Sequence, residues 1–264
     1  MISRPMKPLA LFFSLFVSLL LHSTAVVGQT SNVASLLVEA KAARDSYQDA
    51  KALVLFEKVL LLDSINKEAL YNAGYMNSRL GWIQEDYNVE LAKHYYTRSK
   101  YYADKVYKYY PNTFEANLLM AGAIARLTKY GTTKERVTGA WDIKKYADVA
   151  FKMKPDDPLL RHMLAWWNFE LSKPTWFERS MADMLFGGIP KGADVNLAIK
   201  TMKELITKRP DYIVYRYDLA LFYEYLGDKL NARQWLESAM KLTPKTPEEF
   251  PYIPAGKKFL ARLQ

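Results

Sequence analysis

Between Pro210 and Pro244 the chain repeats itself in miniature: 34 residues separate the two prolines, and they hold two apolar helical patterns around one glycine turn. YIVYRYDLALFYEYL and LNARQWLESAMKL both place apolar residues three and four apart, the spacing of one helix face. Gly227 and Asp228 turn the chain between them, and Pro244 stops the second helix. Ala220, Ala232 and Ala239 are small where the two helices must approach, while Leu219, Tyr223 and Leu236 fill the seam. Such a pair cannot bury its apolar faces alone, so it has to stack on others.

The same punctuation recurs upstream at Asp63-Ser64, Pro111-Asn112 and Pro155-Asp156, each following one apolar helical run and preceding another. Spacings of 47, 44, 55 and 34 residues separate Ser64, Pro111, Pro155, Pro210 and Pro244, so the middle units carry insertions. Alternating strand-like runs are missing from residue 32 onward. Thirty-four residues is the period of a tetratricopeptide repeat. The pattern therefore predicts an all-α, irregular tetratricopeptide-like helical repeat array, an α-solenoid of about five helix pairs. The pairs are expected near 32–63, 66–110, 113–154, 157–209 and 212–243, with an inserted helix in the fourth. PKTPEEFPYIP reads as a connector, and AGKKFLARLQ as a terminal helix that covers the last pair.

Within this frame, GTTKERVTGAWDIKKYADVAFKMKPDD, LLRHMLAWWNFELSKPTWFERSMADMLFGGIPKG and the repeat up to Pro244 resemble the regulator of microtubule dynamics family. The likeness covers roughly residues 131–263. That family's proline-aromatic-aromatic-x-Arg pattern is approximated by Pro174, Trp176, Phe177 and Arg179, with Thr175 as a one-residue departure. Met184 to Phe186 also fit. The resemblance implies a tetratricopeptide-like domain of irregular order. It carries no catalytic residue over to this chain.

Residues 1–28 have the three parts of a secretory leader: Arg4 and Lys7, an apolar run from Leu9 to Leu21, and the small-residue stretch STAVVG. That run is shorter than the roughly 20 residues needed to cross a bilayer core, which favours cleavage over anchoring. Cleavage is expected after Gly28, leaving residues 29–264 as the helical repeat domain with a net charge of +7 in place of +9. Zero cysteine and no Asn-x-Ser/Thr sequon in an exported chain point to a bacterial periplasm or exterior. The alternative is membrane anchorage through residues 9–21, and membrane association is expected only in that case.

Chemistry-bearing clusters are scarce. With no cysteine and three histidines, neither a metal centre nor a cofactor is expected. His94 and His162 stand in no nucleophile or metal-ligand pattern; Asp156-Asp157 and Glu248-Glu249 lie at turns, where acids cap helices and complement their dipoles. Lys93 to Pro111 concentrates seven tyrosines and five basic residues, but the two segregate to opposite sides of a helical wheel. One stripe is Tyr95, Tyr102, Val106 and Tyr109, with Tyr96, Ala103, Tyr107 and Tyr110 beside it, so core packing is expected and nucleic-acid binding is not. In the inserted helix, Phe177, Met181, Met184 and Leu185 form a stripe that must lie against the array or a partner, and Trp176 and Phe177 are expected at least partly buried.

What remains is a surface. In arrays of this kind the first helix of each pair lines the concave face, so its aromatic and arginine residues are the expected partner anchors. These are Tyr71, Tyr75 and Arg79 in the second pair, His162, Trp166 and Phe169 in the fourth, and Tyr217, Leu221, Glu224 and Tyr225 in the fifth; Trp176 and Phe177 join them if the inserted helix meets a partner. The function this predicts is a non-enzymatic scaffold for a protein or peptide segment. The alternatives are a basic polyanion or membrane-surface binder and a carboxylate-dependent hydrolase.

Overall fold

A computed structural model describes residues 32–174 and 176–263, without the side chains of Trp176, Phe177 and Ser180. The expected leader lies outside the described residues. Residues 32–45 form α1, followed by α2 (Asp49–Leu62), α3 (Lys67–Gln84), α4 (Val89–Tyr109), α5 (Phe114–Thr128) and α6 (Thr133–Met153). Then come α7 (Pro158–Ser172), α8 (Trp176–Phe186), α9 (Val195–Lys208), α10 (Ile213–Tyr225) and α11 (Lys229–Met240). A 3-10 turn at Pro247–Glu249 leads into α12 (Tyr252–Arg262). Among the described residues there is no strand.

Helix starts follow from side chains that satisfy first-turn amides. Asn66, Asn88, Thr113, Thr132, Asp157, Asp194 and Asp228 each cap the helix that follows by accepting a backbone N–H. Thr132 and Glu135 complete a reciprocal capping box. Gly227 sits at φ +77° between α10 and α11, in the left-handed region where a side chain is strained.

The helices stack as five pairs, the first made by α1 and α2, whose Ala40, Ala43, Ala52 and Phe56 share one buried cluster. α3 packs on α4, α5 on α6, α7 on α9 and α10 on α11, while α2–α3, α4–α5, α6–α7 and α9–α10 join the layers. Leu219, Ala220, Ala232, Leu236 and Ala239 are fully buried at the last seam, as their sizes require. In α4 the buried stripe is Ala92, Tyr96, Ser99, Tyr102, Ala103 and Val106. Tyr109, expected on that stripe, is exposed, and Tyr96 rather than Tyr95 turns fully inward. Gly81 on α3 makes room for it: a β-carbon there would come within 2.6 Å of the Tyr96 ring.

The inserted helix α8 packs on α6. The Trp141 indole donates to the Gly188 carbonyl at 3.0 Å, and Arg179 donates to the carbonyls of Pro174 and Leu171, tying both ends of the insertion down. Met184 and Leu185, expected on the packed stripe, are exposed, and Ala182 is the buried contact instead. The expectation for the Trp176 and Phe177 side chains lies outside the described residues.

Candidate functional site: the inner face of the array

The end of α1, the middle of α3, α5 and the start of α7 enclose an open pocket of about 410 Å³. All these contributions come from first helices of pairs and the turns beside them, which makes this the inner layer. Tyr71, Asn72, Tyr75 and Arg79 line it from α3, Arg44 and Tyr47 from the first pair, and Leu118 and Asp157 from the third and fourth. The spacing of 71, 75 and 79 puts three side chains on one helix face. Tyr71 and Tyr75 stack with their rings 6.1 Å apart, and burial raises both phenols, so they remain neutral donors. Arg44 donates to the Asn72 amide oxygen at 2.8 Å. Tyr47 holds a left-handed backbone at φ 57°, rare for a bulky residue, and its ring lies 5.3 Å from the Arg79 guanidinium.

Arg79 is the junction of this face. Its guanidinium pairs with Asp49 of α2 at 3.0 Å and with Glu248 at 2.9 Å, with only 11% of the side chain exposed. Glu248 belongs to the 3-10 turn, so the C-terminal connector returns across the array to α3. Burial raises the Asp49 carboxyl to about 6, against the pull of Arg79 and with a further push from Glu248. Glu249 beside it is buried and accepts from the Thr246 and Ile213 amides, at 3.0 Å each. Tyr252 then wedges between Trp82 and Tyr217, meeting both rings edge-on.

That returning segment decides the fate of the fifth-pair candidates. Tyr217 packs on Tyr252 and on Phe259 of α12, and Glu224 forms a two-pronged pair with Arg262 at 2.9 and 3.1 Å. Leu221 joins the same apolar cluster. These three are covered by the terminal helix rather than offered to a ligand, because the connector folds inward and brings α12 over α10. Tyr225 is exposed and donates to the Lys173 carbonyl at 3.1 Å.

In the fourth pair, His162 and Trp166 both reach the buried Asp218 of α10: the imidazole Nε2 lies 2.7 Å and the indole Nε1 2.8 Å from the same carboxylate oxygen. Both are therefore engaged in the α7–α10 seam. Phe169 is core: it stacks on Phe222 at 4.0 Å between rings and is 3% exposed. Of the predicted anchors, then, Tyr71 and Tyr75 line an open pocket, Arg79 lines it while paired, and the α7 and α10 sets hold the array together. Sequence reasoning missed Arg44, Tyr47, Asp49, Asp218 and Tyr252. The acid pair and aromatics of EEFPY were the available signal, since a solvated linker has no need of them.

Asp157 caps α7 as its turn position implies, and Glu249 caps the 3-10 turn. Among the described residues no group of three or more His, Cys, Asp or Glu is placed to hold a metal ion, and no helix is long and apolar enough to cross a membrane.

Known proteins agree with this architecture. Regulator of microtubule dynamics protein 2 of Rattus norvegicus is 25% identical over 178 residues, which is 67% of this chain and 43% of that protein. Regulator of microtubule dynamics protein 1 of Caenorhabditis elegans is 25% identical over 130 residues, 49% of this chain and 57% of that protein. The chain spans less than half the length of the rat relatives it matches. Among solved structures, a thermophilic tetratricopeptide-repeat protein of Thermus thermophilus superposes with a TM-score of 0.58 at 16% identity, covering 86% of this chain and 99% of its own. The profile of the family described as Regulator of microtubule dynamics protein 1-3 matches residues 36–264, so the chain belongs to that family and folds as its tetratricopeptide-like member.

Proposed function

We propose that the chain is a non-enzymatic scaffold that binds a protein segment in the N-terminal half of its inner face, around Tyr47, Tyr71 and Tyr75. One observation carries this reading: the inner layer keeps an aromatic-walled pocket of about 410 Å³ open between α1, α3, α5 and α7 while the chain's own C-terminal segment covers the other half. Tyrosines give large contact area with few rotors, and a concave site that buries them supplies hot-spot energy without catalytic groups. Tyr47 reaches the pocket through the way α1 ends: its left-handed backbone closes the helix, with the Gln48 amide donating to the Ala43 carbonyl at 2.9 Å and the Tyr47 amide to the Arg44 carbonyl at 3.0 Å, and its ring comes to lie beside Arg79.

The relatives' names attach them to microtubule dynamics. The leading segment favours a different compartment for this chain, and the proposed ligand is accordingly a segment of another exported protein, with residues 1–28 removed. The bacterial periplasm or exterior is the compartment proposed. Tyr75→Ala combined with Tyr47→Ala is expected to lower the melting temperature, because Tyr75 packs against the core, and to abolish capture of partners from the native compartment per folded molecule at a temperature where circular dichroism shows full helicity. Undiminished capture by that variant sinks the proposal.

A further inference from the structure

Among the paired helices α3 to α11 the excess positive charge sits on the second helices, and the terminal helix α12 adds Lys257, Lys258 and Arg262 elsewhere. The first helices α3, α5, α7 and α10 together hold five basic and five acidic residues. Among the second helices, α4 alone holds five basic and two acidic, α6 five and three, and α9 three and one. The two richest are neighbours: Tyr107 of α4 and Tyr146 of α6 meet edge-to-face at 5.1 Å. Their surfaces therefore join into one basic band on the side opposite the pocket.

Six of the eight lysines of the band fall into two kinds. Lys93, Lys100 and Lys144 are matched by Glu90, Asp104 and Asp148 on their own helices. Lys105, Lys108 and Lys145 lie instead over the rings of Tyr101, Tyr109 and Tyr146, at 4.9, 5.4 and 5.1 Å. A ring face orients an ammonium group but leaves its charge uncancelled. These three are surplus cations held in place, with Tyr101 and Tyr109 about half exposed around them.

We infer that the α4–α6 face is a second docking surface, separate from the pocket, and that it takes an extended acidic protein segment. Lys105 and Lys108 stand one helical turn apart, and an extended chain repeats its same-side residues about every 6.6 Å, within reach of two flexible lysines. The interspersed acids argue against a nucleic acid: Glu90, Asp104, Asp142 and Asp148 lie along the same two helices, where an uninterrupted phosphate backbone would meet them. The tyrosines are already covered by cations, which removes the stacking platforms that single strands use. A peptide can place its carboxylates against the surplus lysines and its neutral residues against the acids.

The test uses the full chain and a fluorescein-labelled, glutamate-rich dodecapeptide read by anisotropy. Binding is expected at low salt and should weaken at least about tenfold as ionic strength rises past the point where the Debye length falls to ~8 Å. Lys105→Gln, Lys108→Gln and Lys145→Gln combined should lower affinity at least about tenfold with helicity unchanged. Tyr75→Ala should leave it as it was. Absence of salt-sensitive binding, or an unaltered triple variant, overturns the inference. So does loss of binding in Tyr75→Ala, which would put the peptide in the pocket instead. A single-stranded oligonucleotide or phosphatidylserine vesicles bound more tightly than the peptide through the same lysines would also overturn it, in favour of a polyphosphate or a membrane.

Discussion

Replacing Arg79 with Met removes the charge that Asp49 and Glu248 share and keeps most of the volume. Asp49 is almost wholly buried and Glu248 is 15% exposed, so neither recovers full hydration when its partner is gone. Breaking a buried pair from one side costs about 3–5 kcal/mol. The Asp49 carboxyl makes the loss depend on pH. Unfolded, it ionises near its ordinary value of 3.8; folded, near 6, so between those values only the folded chain holds the proton. Wild-type stability therefore falls as pH rises from about 4 to about 6, by the linkage between proton binding and folding. In the variant the carboxylate has lost its counter-charge, and the penalty should be greatest at pH 8 and smallest near pH 5, where Asp49 takes up a proton. Urea unfolding followed by circular dichroism at both pH values measures this directly. A loss below about 1 kcal/mol at pH 8 would mean that water reaches the site and that the buried-pair reasoning is wrong. Equal losses at the two pH values would refute the role given to Asp49.

Three further substitutions probe other parts of the array. Gly227→Ala introduces a side chain at φ +77° with nothing nearby to clash, so a cost of about 1 kcal/mol from the backbone alone is expected in chemical denaturation. Phe169→Ala should cost about 3–5 kcal/mol and leave partner capture per folded molecule unchanged, because its ring is core. Asp218→Ala strands the Trp166 indole N–H in the α7–α10 seam and should cost about 1–3 kcal/mol, visible as a lower melting temperature and altered tryptophan fluorescence.

Helix pairs were legible in the sequence because local rules write them. Most turns carry a cap, such as Asn66, Thr113 or Asp157, and the last seam carries its alanines. The inner surface was half legible. Periodicity places Tyr71, Tyr75 and Arg79 on one face of α3, and it also puts Tyr217 and Glu224 on the corresponding face of α10. It cannot say that residues 245–252 turn back over that second face, since the deciding contacts join positions far apart in the chain. The same holds for Phe169. Its phase suits an inner-face residue, but Phe222 of α10 stacks upon it, and nothing in α7 announces that partner.

The pairing of Arg79 with Glu248 spans 169 residues of chain, and it changes how such an array should come apart. In an open solenoid each repeat leans only on its neighbours, stability adds up along the row, and the ends fray first. Here the last segment is clasped to the second repeat. Fraying of α12 would expose Tyr252, Glu249 and the Arg79 junction together, so the C-terminus and α3 should exchange their amide hydrogens as one unit. Folding carries the corresponding burden: this clasp cannot form until most of the chain is in place, which adds a late, long-range step to an otherwise local and fast topology.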